Sequence, residues 1–150
     1  MIFITVQEVI DDHAELIRTY GGLDGIRDIG LLISAIEMPK ATMFGEFLHP
    51  TVFDKAAAYL FHLVCNHPFV DGNKRTGTMT ALTFLRQNQV HIKFTLKQTD
   101  ILEELVVSTA DSKTTKEQIA KFFKECYIGP ELPEELVSKS ALGVENKNRT

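Results

Sequence analysis

The amino-acid sequence predicts an all-α, mainly helical domain of about six helices, with a small β-hairpin flap and a minor β run at the N-terminus. Three observations lead there. Apolar residues recur at three- and four-residue spacing through most of the chain. Those stretches open on Thr or Asp, several with an acid three residues further on, as helix caps do. The one stretch that alternates is short and punctuated by glycine and proline.

Met1–Ile4 is a short β-like run. Thr5-Val-Gln-Glu8 has capping-box spacing, and Val9, Ile10, His13, Leu16, Ile17 and Tyr20 follow at helical intervals up to Gly21-Gly22. Asp28 caps a second helix with an apolar face of Leu31, Leu32, Ala35 and Ile36, stopped near Pro39. Residues 40–50, KATMFGEFLHP, read as a hairpin or flap. Thr51 caps VFDKAAAYLFHLVCN, in which Val52, Ala56, Tyr59, Leu60, Leu63 and Val64 are in register and charges are few, so most of its circumference is buried. Thr76–Gln87 is a second buried helix, with Gly77 and Ala81 allowing close helix approach. Residues 90–95 pair as a strand with Met1–Ile4, and two more helices lie near 98–110 and 115–126, the second opened by Thr114-Thr-Lys-Glu117. The compact unit is 1–128, closed by Gly129-Pro130. The polar tail, 129–150, is one loose helix followed by disorder at ENKNRT.

Bulk properties exclude several classes. The 150 residues support one real core, at 44% apolar and 24% charged. A net charge of −4 and a pI near 5.7 lack the basic footprint of a general nucleic-acid binder, so no direct DNA binding is expected. Cys65 and Cys126 sit in apolar helical patterns as small buried hydrophobes in a reducing compartment. The start lacks signal-peptide regions and no window is apolar enough for a membrane span. A cytoplasmic protein is the expectation.

Chemistry concentrates in residues 67–77, HPFVDGNKRTG. A loop carrying His67, Asp71, Gly72 and Asn73 runs into the N-terminus of a buried helix, where unpaired N–H groups and the helix dipole favour anions. Gly72 permits close backbone approach. Lys74 and Arg75 add cations for phosphate oxygens. Asp71 is a hard oxygen ligand suited to Mg²⁺. Histidine titrates nearest neutrality among side chains, so His67 is suited to take a proton from a hydroxyl. Pro68 and Phe69 are shape and packing residues, with Phe69 plugging the loop into the core. Phosphoryl or nucleotidyl transfer needs this combination. His13, His49, His62 and His91 are structural: His62 and His67 lack the spacing of a helical metal pair. GNKRTG is also not a Walker loop.

HPFVDGNKRTG resembles the signature of the Fic/Doc (Fido) family, His-x-Phe-x-Asp/Glu-Gly/Ala-Asn-x-Arg, with Lys74 at the variable position. The resemblance covers about residues 1–126, and GGLDGIRDIGLLISAI at 21–36 is similar to the upstream segment of the Doc (death-on-curing) branch. It implies a helical Fido core acting on ATP with Mg²⁺. In that scheme His67 deprotonates a target Ser, Thr or Tyr, and Asp71 holds the metal. Asn73 and the Gly72 backbone cradle phosphate, joined by Lys74 and Arg75. The flap, with Met43, Phe44, Gly45, Glu46 and Phe47, docks the target segment by strand addition.

The family's two branches imply different reactions. Lys74, and Thr78 where adenylyl-transferring Fic enzymes have a second Arg, resemble the Doc toxins, kinases that phosphorylate a threonine of elongation factor Tu. Gly72 instead matches the Fic enzymes, where the Doc toxin has Ala. A Doc-like kinase toxin is the favoured reading, a Fic-type adenylyltransferase the alternative, and a catalytically idle binding module the third. Ser140-Ala-Leu-Gly-Val-Glu145-Asn146 is one residue too long for the family's inhibitory helix motif and is interrupted by Gly143. The resemblance therefore implies regulation by a Phd-like antitoxin in trans.

Overall fold

The computed structural model describes residues 1–142. Its helices are α1 (Val6–Tyr20), α2 (Ile29–Glu37), α3 (Val52–Asn66), α4 (Asn73–Gln87), α5 (Leu96–Ala110), α6 (Lys116–Cys126) and the one-turn α7 (Glu134–Val137), with a 3₁₀ turn at Met38–Lys40. The only strands among the described residues are β1 (Thr42–Met43) and β2 (Glu46–Phe47), an antiparallel hairpin with Thr42 opposite Phe47. The mainly helical class with a small flap is thus what the chain adopts.

Helix α3 is the axis of the domain, packing against α2, α4, α5 and α6. Its sequence explains why. Thr51 and Asp54 form a reciprocal capping box, and Val52, Ala56, Ala57, Ala58, Tyr59, Leu60 and Leu63 are all buried. Alanines on three successive positions let neighbours approach from several sides. At Gly77 of α4 a Cβ would lie 3.1 Å from Val64 Cγ2 and 3.3 Å from the Leu60 carbonyl, so the close α3–α4 crossing depends on that glycine.

Several local expectations change. Met1–Ile4 and residues 90–95 form no sheet. The Asn88 side chain takes the place of a strand partner, accepting from Ile2 N–H at 2.8 Å and donating to Ile2 C=O at 2.9 Å. Tyr59 Oη accepts from Ile4 N–H. Helix α4 starts three residues earlier than Thr76, which puts Lys74 and Arg75 in its first turn. Helix α6 is capped by Thr115 with Gln118 as the reciprocal partner, one residue after the Thr114–Glu117 pair, while the Thr114 hydroxyl donates to Ser108 Oγ at 2.7 Å. Cys126 is buried but Cys65 is exposed. The ENKNRT stretch lies outside the described residues. Among the described residues no helix is long and apolar enough to cross a membrane.

The flap is anchored by a buried lysine. Lys55 of α3 is 0% exposed; its ammonium donates to His49 C=O at 2.6 Å and Pro50 C=O at 2.9 Å and lies 3.7 Å from the Phe47 ring centre. Burial lowers its pKa to about 7, Asp54 opposing the shift only in part. Below that value the ammonium is charged in folded and unfolded chains alike, and the cost of burying it is fully present. Between about 7 and the ordinary 10.5 the unfolded chain binds the extra proton, so stability rises with pH. Urea unfolding from pH 7 to 9 should show this climb, at most about 1.4 kcal/mol per pH unit, and Lys55→Met should flatten it.

Candidate active site

The loop between α3 and α4 is built around one amide. Asn73 is buried; its Oδ1 accepts from Phe69 N–H at 2.9 Å, and its Nδ2 donates to Phe69 C=O at 3.0 Å. That pairing decides which end of the amide faces His67: Nδ2 lies 3.2 Å from His67 Nδ1. The nitrogen facing it must carry the lone pair for a hydrogen bond, so the neutral ring holds its proton on Nε2. His67 itself is the C-cap of α3 at φ 50°, ψ 52°, a left-handed conformation uncommon outside glycine, and the ring is exposed. Asn73 was expected to cradle phosphate. Its side chain is instead committed to the loop, leaving only its backbone N–H for an anion.

A second histidine, this one buried, supports the loop from beneath. His13 of α1 stacks on Phe69 with ring centres 3.7 Å apart and planes within 6°, and its Nε2 donates to Asp71 C=O at 2.8 Å. Phe69 is fully buried, as the sequence led one to expect.

The segment before α2 closes the other side. Arg27 donates from Nε to His67 C=O at 2.6 Å and from a terminal nitrogen to Asn66 C=O at 2.9 Å, capping the last carbonyls of α3. Arg27 and Asp28 N–H both donate to Pro68 C=O, and Val70 N–H donates to Gly25 C=O. Neither His13 nor Arg27 was singled out as functional from sequence. Arg27 sits among turn residues, and nothing local marks it as the cap of a helix some forty residues away.

Asp71 is exposed, and its Oδ1 accepts from Gly72 N–H at 2.9 Å and its Oδ2 from Leu23 N–H at 3.2 Å. Gly22 has φ 116°, a conformation that favours glycine, and a Cβ there would lie 2.8 Å from Asp71 Oδ2 and displace that carboxylate. The Leu23 N–H foremost, then that of Gly72, holds the carboxyl below the ordinary carboxylate range. Each oxygen retains acceptor capacity, and no group of three or more acidic, His or Cys ligands exists among the described residues. This fits Mg²⁺ held by one carboxylate together with substrate phosphates and water, and does not fit an all-protein metal cage.

The N-cap of α4 is Gly72, φ 81°, which offers no side-chain cap. Its first helical bond is Thr76 N–H to Gly72 C=O, which leaves the preceding N–H groups of Asn73, Lys74 and Arg75 free of intrahelical acceptors. Lys74 and Arg75 are exposed in the same turn, with the Arg75 guanidinium 4.3 Å from the Tyr20 ring centre. Thr78, one turn on, donates to Lys74 C=O at 2.9 Å. The expected base, metal ligand and cations therefore share one short loop and one helix end.

The flap residues divide. Phe44 is 98% exposed at the hairpin tip with φ 52°, a strained conformation for a bulky residue, and Met43 is exposed. Phe47 is buried over Lys55, so its side chain anchors the flap and does not face a target. His49 and His62 meet at Lys116, whose ammonium lies 3.1 Å from each Nε2. Burial first, then Lys116, lowers His62 to about 4, consistent with a structural role for both rings.

The model of the Fic/DOC family matches residues 3–85, the span that holds α1 to most of α4 and the whole loop. The chain belongs to this family. Two relatives place it on the Doc side. The protein named Toxin Doc from Mycolicibacterium smegmatis is 38% identical over 113 residues, covering 73% of this chain and 87% of that protein. The protein named Protein kinase doc from Escherichia phage P1 is 32% identical over 127 residues, covering 85% and 97%.

Two predictions follow from this geometry. Phe69→Ala removes a fully buried ring from the floor of the Fic/DOC loop and should cost about 3–5 kcal/mol in urea unfolding. Nitrogen-15 NMR of the neutral imidazole should show Nδ1 of His67 as an unprotonated nitrogen that accepts a hydrogen bond, and Asn73→Ala should move its resonance toward that of a nitrogen without one.

Proposed function

We propose that the chain is a Doc-like toxin that transfers the γ-phosphoryl group of ATP to a Ser or Thr hydroxyl of a target protein, by analogy a translation factor such as elongation factor Tu. The observation that carries this reading is that one amide, Asn73, joins the His67 ring to the loop entering the uncapped end of α4. Base and anion cradle move as a unit, which suits phosphoryl transfer, where positioning and charge neutralisation supply most of the catalysis.

In this scheme the free N–H groups at the start of α4, with Lys74 and Arg75, bind phosphate oxygens. Asp71 would hold Mg²⁺, which when bound neutralises phosphate charge. The target hydroxyl gives its proton to His67. Its oxygen bonds to the γ-phosphorus as the bond to the β–γ bridging oxygen breaks and ADP departs. The resting tautomer adds a requirement: the lone-pair nitrogen, Nδ1, is engaged by Asn73. Accepting the proton involves either exchanging that contact for the hydroxyl or shifting the ring proton from Nε2.

The flap presents the target. The exposed, strained Phe44 at its tip is the side chain most available for contact. A Phd-like antitoxin acting in trans is the proposed regulator, an expectation carried by the resemblance to the Doc branch, of which one relative is named a toxin.

Purified protein incubated with a translation extract and Mg²⁺ should transfer label from γ-labelled and not α-labelled ATP. His67→Ala should abolish transfer while leaving nucleotide affinity within about twofold, since the base acts only in the transition state; Arg75→Ala should weaken both. A target mass gain of one AMP would replace the kinase with an adenylyltransferase, and transfer undiminished in His67→Ala would remove the base assignment.

A further inference from the structure

Beyond α6 the chain returns to the flap. Leu136 of α7 is 5% exposed and Ala141 is 2% exposed, so the segment is anchored at both ends. Between them it runs antiparallel to β2 with Ser140 opposite Glu46. Phe47 N–H donates to Lys139 C=O at 2.7 Å, and Ala141 N–H donates to Gly45 C=O at 3.0 Å. These two bonds flank the pair as a wide antiparallel bridge requires. Strand β2 is therefore occupied on both edges, by β1 on one side and by the C-terminal segment on the other.

We propose that residues 138–141 are a resident strand lying on the flap edge where an extended segment of another protein docks, and that such a segment must displace them. The proposal deepens the reading of the flap as the target-docking element and rests on it. Three observations support it. The edge demonstrably accepts an extended backbone, offering Phe47 N–H and Gly45 C=O outward. The occupant is small where it is buried, at Ala141, so a competing segment needs a small side chain at that position. The main-chain bonds described between this segment and β2, Phe47 N–H to Lys139 C=O and Ala141 N–H to Gly45 C=O, are ones that any incoming extended segment can make in its place. It also differs from an inhibitory helix aimed at the nucleotide: the tail competes with the protein substrate.

Two measurements on the full chain test this. Hydrogen exchange reads Phe47 N–H, whose acceptor is Lys139 C=O. Ala141→Pro removes the N–H that bonds Gly45 and should speed Phe47 exchange about tenfold, leaving α3 and α4 amides unchanged. A fluorescein-labelled peptide of residues 134–142, EELVSKSAL, should then bind Ala141→Pro about tenfold more tightly than the unaltered chain, which carries its own competitor. Leu136→Lys, which unseats the other anchor, should behave alike. Unchanged Phe47 exchange in both variants, equal binding of the peptide to variants and parent, or no binding to any of them overturns the proposal. Neither readout uses nucleotide or transfer, so a failed phosphotransfer assay leaves this result standing, and failure here leaves phosphotransfer standing.

Discussion

The Asn73 amide sets the conformation on which the rest of the site depends. Both of its polar ends pair with the peptide groups of Phe69, and the hydrogen left over meets His67. An amide so used inside a buried loop does what a strand partner would do elsewhere: it satisfies main-chain groups that have no other acceptor or donor. The loop can then make its tight reversal between α3 and α4 without leaving buried polar atoms unpaired.

Around that staple the domain supplies stiffness from three directions. His13 stacks beneath Phe69 and fastens the Asp71 carbonyl, while Arg27 takes the terminal carbonyls of α3. The glycine-rich turn at 21–25 leaves room for the Asp71 carboxylate and gives it the Leu23 N–H. The loop motif is thereby held on a rigid base, as the proposed transfer chemistry would require.

Flap and loop are linked through α3. Its first turns carry Lys55, which holds Phe47 and the carbonyls of His49 and Pro50, and its last residue precedes His67. A buried ammonium with no carboxylate in direct contact is costly. Here the cost is met by main-chain carbonyls and an aromatic face, and the result is a flap of fixed placement relative to the loop between α3 and α4. The histidine pair at Lys116 ties α6 to the same region.

By itself the sequence determined the helices, their caps at Thr5, Asp28 and Thr51, the flap, and the loop motif. All of these are local: periodicity, capping and turn chemistry act within a few residues. The family of the chain was legible for the same reason, since its signature is contiguous. Tertiary structure decided the rest. Whether Met1–Ile4 forms a strand depended on Asn88, a residue far along the chain whose amide bonds Ile2 in place of a strand. Whether Asn73 faces phosphate or the loop depended on Phe69 being pulled into the core. His13, Arg27 and Lys55 took their roles only when distant main-chain groups arrived beside them. Such contacts are made across the fold and leave no periodicity or spacing in the sequence to read.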